Sequence, residues 1–391
     1  MTSIHSTQQA SIGSQGELQA VHFTAPRSHR FLFLDALRGI AALFVVLFHF
    51  PKVMTSSLAS NGQLAVDFFF CLSGFVVAFS YEERLNHKLS FKDFTVVRAI
   101  RLYPIYAIGS LIGLLVAMAV DHFVDHSIAW SSLLPLFALS LFMWPTRLSP
   151  MNLSENYPLD LPAWSLFYEV VANLVYALLV KLKLARNAVL LAIVIGSLTA
   201  LIARVASGAS LDVGPRQADF VLGFARVAFS FFLGVLLCRL HRSQTHDVAS
   251  GLTQWLFPLI ITLVLIAILI SPFLWMRTEL FRLIAISLCL PAMVYTGGVA
   301  RLPHSFAPLC SVLGELSYPL YLLHISIVTL MRARHVQHFS ALHTSLAHGI
   351  VLCTEMILAA ASFWVGKYID LPIRRSLTRR YNNFKSQQAH A

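Results

Sequence analysis

Eleven apolar runs dominate this chain, at about 31–50, 64–80, 103–120, 131–144, 163–180, 187–206, 219–238, 252–270, 280–298, 308–330 and 346–369. A helix rises about 1.5 Å per residue, so a run of about 20 residues crosses a hydrocarbon core of about 30 Å. The runs are continuous rather than alternating, which excludes an outer-membrane barrel. With 57% of the 391 residues hydrophobic and only 12% charged, little sequence is left for a soluble domain. The fold class that follows is an all-α polytopic membrane protein.

Charge placement sets the number of spans. The fourth run, "SLLPLFALSLFMW", is short and contains Pro135. If it spans and the N-terminus is inside, 12 Lys and Arg fall inside and 13 outside, which is no bias. If 131–144 is instead re-entrant or interfacial, about ten helices span, with 19 basic residues inside and 6 outside. The excess of positive charge on cytoplasmic segments favours the second reading, with both termini cytoplasmic. The formal charge of +11 is thus a topology signal, and no basic soluble domain remains to bind nucleic acid. Segment 121–162 becomes the largest outer loop and could cover an outward-facing site. Residues 1–30 lack the charged start and short apolar core of a cleavable signal, and read as a disordered cytoplasmic tail. Residues 373–391 read as a basic cytoplasmic tail near anionic lipid. The five cysteines lie in apolar runs without CxxC spacing, so neither disulfide nor metal site is expected.

Ionisable groups inside spans cost about 2.5–3.5 kcal/mol each on insertion scales, and they are functional candidates for that reason. The first run, "FLFLDALRGIAALFVVLFHF", holds three. Arg38 and His49 are eleven residues apart, just over three turns, and so share a face about 16 Å apart along the axis. Asp35 lies one turn before Arg38 and can pair with it. Asp67 stands near the outer end of the second run, and Ser73-Gly74 in its middle allow close approach. Arg98 and Arg101 share a face at the inner boundary, where two planar guanidinium forks suit phosphate. Trp164 and Glu169 open the fifth run. Tyr321 and His324 share a face late in the chain. His49, Asp67, Glu169 and His324 therefore read as an outer cluster, and Arg38, Arg98 and Arg101 as a cationic inner mouth. That pattern implies traffic between the two sides. On composition alone a transporter or flippase of a glycan or anionic substrate fits as well as an enzyme.

In order, "LDALRGIAALFVVLFH", "VDFFFCLSGF", "RAIRLYP", "WSLFYE", "SYPLYLLH" and "DLPIRR" resemble the motifs of acyltransferase family 3, membrane O-acyltransferases that modify bacterial surface polysaccharides. The resemblance covers about residues 31–375 and favours the enzyme over the transporter. It implies an acyltransferase membrane domain over 31–372 in the bacterial inner membrane. It implies that His49 is catalytic, as general base or as transient acyl carrier, with Glu169 or Asp67 orienting or charge-balancing it, and that Arg38, Arg98 and Arg101 contact the acyl donor. Asp35, Ser73, Trp164, Ser165, Tyr321 and His324 support them. The expected co-substrate is acyl-CoA, typically acetyl-CoA, with no permanently bound cofactor and no metal. The expected acceptor is a hydroxyl of a polysaccharide or glycolipid on the outer face. Val96 and Val97 stand where many members have an extra Arg before the Arg-x-x-Arg motif. Some members carry a periplasmic esterase-like domain; this chain is expected to act alone or with a separate extracytoplasmic protein.

Overall fold

The computed structural model describes residues 31–50, 59–125, 130–146, 155–244, 253–270, 278–300, 302–339 and 344–390. The tail 1–30 lies outside them. Among the described residues, the backbone is helical apart from short connections and one isolated bridge between Glu155 and Arg216. Inside lipid a helix satisfies its own backbone polar groups.

In chain order the helices are α1 (Leu32–His49), α2 (Leu64–His87), α3 (Phe91–Val120), α4 (Trp130–Leu141), α5 (Ala163–Lys181), α6 (Asn187–Ala206), α7 (Phe220–Ser243), α8 (Thr253–Ile270), α9 (Thr278–Val299), α10 (Ala307–Phe339), α11 (Thr344–Val365) and α12 (Leu371–His390). Among the described residues nine helical stretches are long and apolar enough to cross a membrane. The sequence reading has about ten, because it counts α8, whose apolar stretch Gln254–Ile270 is shorter. Helix α4 is only 12 residues, about 18 Å long by helix rise, and too short to span.

Helices α1 and α10 run parallel, as successive contacts show: Gly39 with Leu313, Arg38 with Ser317, His49 with His324. Gly39 makes this approach possible, since a Cβ there would lie 2.5 Å from the Leu313 carbonyl oxygen. Helices α2 and α7 cross through a reciprocal pair of glycines. A Cβ on Gly74 would overlap the Phe231 carbonyl oxygen, and one on Gly234 the Cys71 carbonyl oxygen. Close small-residue packing is how helices associate where lipid removes the hydrophobic drive.

The segment 373–391, read from sequence as a basic tail, lies almost wholly in α12. Three-point docking ties α12 to the start of α3. Tyr381 donates to Asp93 at 2.6 Å, Lys385 pairs with the same carboxylate at 2.7 Å, and Arg374 donates to the Arg101 carbonyl at 3.4 Å.

Glycine packing gives a direct test. Gly74→Val should destabilise the purified protein by more than about 2 kcal/mol, because overpacking against a backbone carbonyl has no side chain to displace. Gly196, which has open space around its Cβ position, should accept the same change with little effect. Thermal unfolding in detergent distinguishes the two.

Candidate functional site

Helix α1 carries polar groups at both ends, and α10 meets each of them. At one end Arg38 donates through Nε to Ser317 Oγ and through Nη2 to the Gly314 carbonyl, both at 2.8 Å. Asp35 sits 3.3 Å from the same Nη2. A Cβ on Gly314 would press on the Asp35 side chain, so glycine there clears room for the pair.

At the other end His49 meets His324. The rings lie 5.0 Å apart between centroids, with His324 Nε2 3.3 Å from His49 Nδ1. His324 is fully buried. Two carbonyls set the tautomers. His324 Nδ1 faces the Leu320 oxygen at 3.1 Å, and His49 Nδ1 faces the Val45 oxygen at 2.8 Å. A carbonyl only accepts, so each neutral ring carries its hydrogen on Nδ1. The Nε2 lone pair of His324 then accepts from His49 Nδ1–H, which it shares with Val45. The lone pair of the His49 ring is then on Nε2.

The carboxylates expected beside His49 are engaged elsewhere. Asp67 is held by Arg226 on α7, with Nε to Oδ1 at 3.0 Å and Nη2 to Oδ2 at 2.8 Å. Both side chains are almost wholly buried, at 2% and 3% exposure. Arg226 also donates to the backbone oxygens of Gln63 and Val213 at 3.1 Å and to Asp212 at 3.3 Å. Its guanidinium lies 5.4 Å over the Trp164 ring. This assembly pins α2, α5 and α7 together at the His49 end.

Glu169 Oε1 accepts from Ser73 Oγ at 2.6 Å and from Arg98 Nη2 at 3.1 Å, joining α5, α2 and α3. Sequence reasoning assigns Glu169 and Arg98 to opposite halves of the membrane; here the long side chains meet. Arg98 is buried and Arg101, one turn on, is exposed. Ser165 accepts from the Tyr321 hydroxyl at 2.6 Å while donating to the Pro162 carbonyl at 3.0 Å. The Tyr321 ring stands 6.3 Å from that of His324, so the start of α5 is tied to the histidine pair.

Three groups escaped sequence reasoning. Arg226 was visible as a lone cation in "GFARVAF", but nothing linear linked it to Asp67. Ser317 holds Arg38 from 279 positions away. Glu355, an acid in the apolar run of α11, is buried with Oε1 unpartnered. No group of His, Cys, Asp and Glu among the described residues could hold a metal ion.

Residues 31–365 match the family described as "Acyltransferase domain". Protein 2 in the picA locus of Rhizobium radiobacter is 36% identical over 163 residues, covering 38% of this chain and 81% of that protein. YrhL of Bacillus subtilis (strain 168), named as a candidate peptidoglycan O-acetyltransferase, is 25% identical over 376 residues, 90% of this chain. The chain spans 57% of YrhL's length. No solved structure matches.

The Asp67–Arg226 pair should behave as a structural pin. Arg226→Met alone should cost about 3–5 kcal/mol, since it strands a buried carboxylate, whereas Asp67→Leu with Arg226→Met should recover part of that loss. Thermal stability of the single and double variants checks both.

Proposed function

The chain belongs to the acyltransferase family that its residues 31–365 match, and from that premise we propose that this multi-pass membrane acyltransferase transfers an acyl group, acetyl by family default, from cytoplasmic acyl-CoA to a glycan hydroxyl across the bacterial inner membrane. The observation that carries the reading is the His49–His324 pair. It presents the His49 Nε2 lone pair at the opposite end of α1 from the Arg38 guanidinium.

In this reading both termini are cytoplasmic and the Arg end is the donor side. Arg101 is exposed there and meets the nucleotide phosphates as a planar fork of donors. Arg38 lies farther in and takes up pantetheine carbonyls. The arm of the donor follows α1 over the roughly 16 Å between Arg38 and His49, which brings the thioester to the histidine. His49 Nε2 takes the proton of the acceptor hydroxyl as its oxygen attacks the thioester carbon. The tetrahedral intermediate collapses with cleavage of the carbon–sulfur bond. The proton then passes from His49 to the departing thiolate, leaving an ester and free CoA thiol. His324 stabilises the imidazolium formed in between by accepting from its Nδ1–H.

YrhL is named for peptidoglycan, which makes a glycan hydroxyl the first acceptor to try. The transporter alternative has no observation in its favour that the acyltransferase reading does not also use.

Incubation of membranes with radiolabelled acetyl-CoA tests the chemistry. His49→Ala should reduce label transfer by about 10²–10⁴-fold, the usual weight of a general base. His324→Gln, which keeps an acceptor near Nδ1, should fall less, by about tenfold. Normal transfer by His49→Ala would refute the assignment.

A further inference from the structure

The strip that leads into α5, "YPLDLPAW", contains a carboxyl group that the reaction described above does not use. Asp160 is 2% exposed, and neither of its carboxyl oxygens has a hydrogen-bond partner. Buried polar groups are nearly always paired, so a doubly unpaired carboxyl marks a place for a water or a ligand. An Asp just before a helix ordinarily caps it, but no side chain caps α5. The Asp160 side chain instead packs against α3, where a Cβ on Gly109 would lie 2.9 Å from Oδ2 and 3.2 Å from the Leu322 carbonyl of α10. Gly109 of α3 thus faces both Asp160 and the Leu322 carbonyl, and Leu322 is the residue after Tyr321 on α10.

Beside Asp160 is a small chamber of about 10 Å³, walled by Tyr106 and Ser140 with Thr146, Asn156 and Trp144. That is roughly the space one water or one hydroxyl needs. No Lys, Arg or second carboxylate lines it. Trp144 is 64% exposed, an aromatic face against which an apolar ring surface can lie. A single hydroxyl-sized polar niche, uncharged walls and an adjacent indole suit a neutral sugar better than a phosphate or a peptide.

We propose that Asp160 and this chamber form an acceptor subsite that seats one hydroxyl of a neutral sugar, with the ring against Trp144. The inference rests on the acyltransfer reading for why the sugar is there, and it identifies where the sugar is held. Burial pushes the Asp160 carboxyl well above the ordinary aspartate range. In the protonated state it donates to the sugar oxygen; ionised, it loses that donor. The titratable groups facing it are the phenols of Tyr106 on α3, Tyr157 on its own strip, and Tyr318 and Tyr321 on α10. An ordinary phenol ionises near about pH 10, so a decline at lower pH reports the carboxyl.

The test uses the purified full chain in detergent, a radiolabelled N-acetylglucosamine disaccharide as probe, and equilibrium binding without acetyl-CoA. Asp160→Ala should bind about tenfold more weakly, the weight of one buried hydrogen bond, while Asp160→Asn, which keeps a donor, should stay within about twofold. Wild-type binding should decline as pH rises and the carboxyl ionises, and that decline should be absent in Asp160→Asn. In transfer assays Asp160→Ala should raise the KM for the disaccharide and leave the KM for acetyl-CoA unchanged. Wild-type affinity in Asp160→Ala overturns the subsite, as does a wild-type chain that does not bind the disaccharide. Equal loss of binding in Asp160→Asn with intact thermal stability also overturns it, because the donor is then not what matters. A wild-type chain that binds the disaccharide but transfers no acetyl group refutes the acyltransfer reading and leaves the subsite standing.

Discussion

The parallel contact of α1 with α10 is the interaction on which the rest depends. Lipid supplies no partner for a guanidinium or an imidazole, so each polar group on α1 needs one from a neighbouring helix. Helix α10 provides it at both ends: Ser317 and the Gly314 carbonyl for Arg38, His324 for His49. Gly39 and Gly314 let the two backbones come close enough for these short reaches. On the proposed reading, the same two contacts that make α1 tolerable in a membrane also orient the groups that react. Stability and chemistry therefore share one helix pair, and a change that separates the helices should disturb both.

Around this pair, two ion pairs act as pins. Asp67–Arg226 ties α2 to α7 and carries the Trp164 ring on its guanidinium. Arg98–Glu169, with Ser73, ties α3, α5 and α2. Both carboxylates are committed to guanidiniums, and a second histidine stands beside His49.

Spans, the short α4 and the shared face of Asp35, Arg38 and His49 were legible because helical period and hydrophobic length act locally. Partner choice was not, because it is decided across hundreds of residues. His324 and Tyr321 could be singled out as polar groups on one face, but only the packing of α10 on α1 brings His324 to His49. Arg226 could be read as costly in lipid without revealing that Asp67 needed it. The basic run after Asp370 looked like a simple anchor by composition. Its docking on α3 depends on Tyr381 and Lys385 finding Asp93, three residues into that helix. The unpaired Asp160 carries no linear signal, since Asp before a helix is ordinarily a cap.

The central claim is that one polar path along α1 joins a donor site at the Arg38 end to an acceptor site at the His49 end. Sidedness in reconstituted vesicles tests it most directly. Radiolabelled acetyl-CoA, which does not cross bilayers, is supplied only to the face bearing α12, and a glycan acceptor is sealed on the opposite face. Labelled ester should form on the sealed acceptor, and none should form when donor and acceptor are both confined to the His49 face. Equal labelling with both substrates on the His49 face would contradict it.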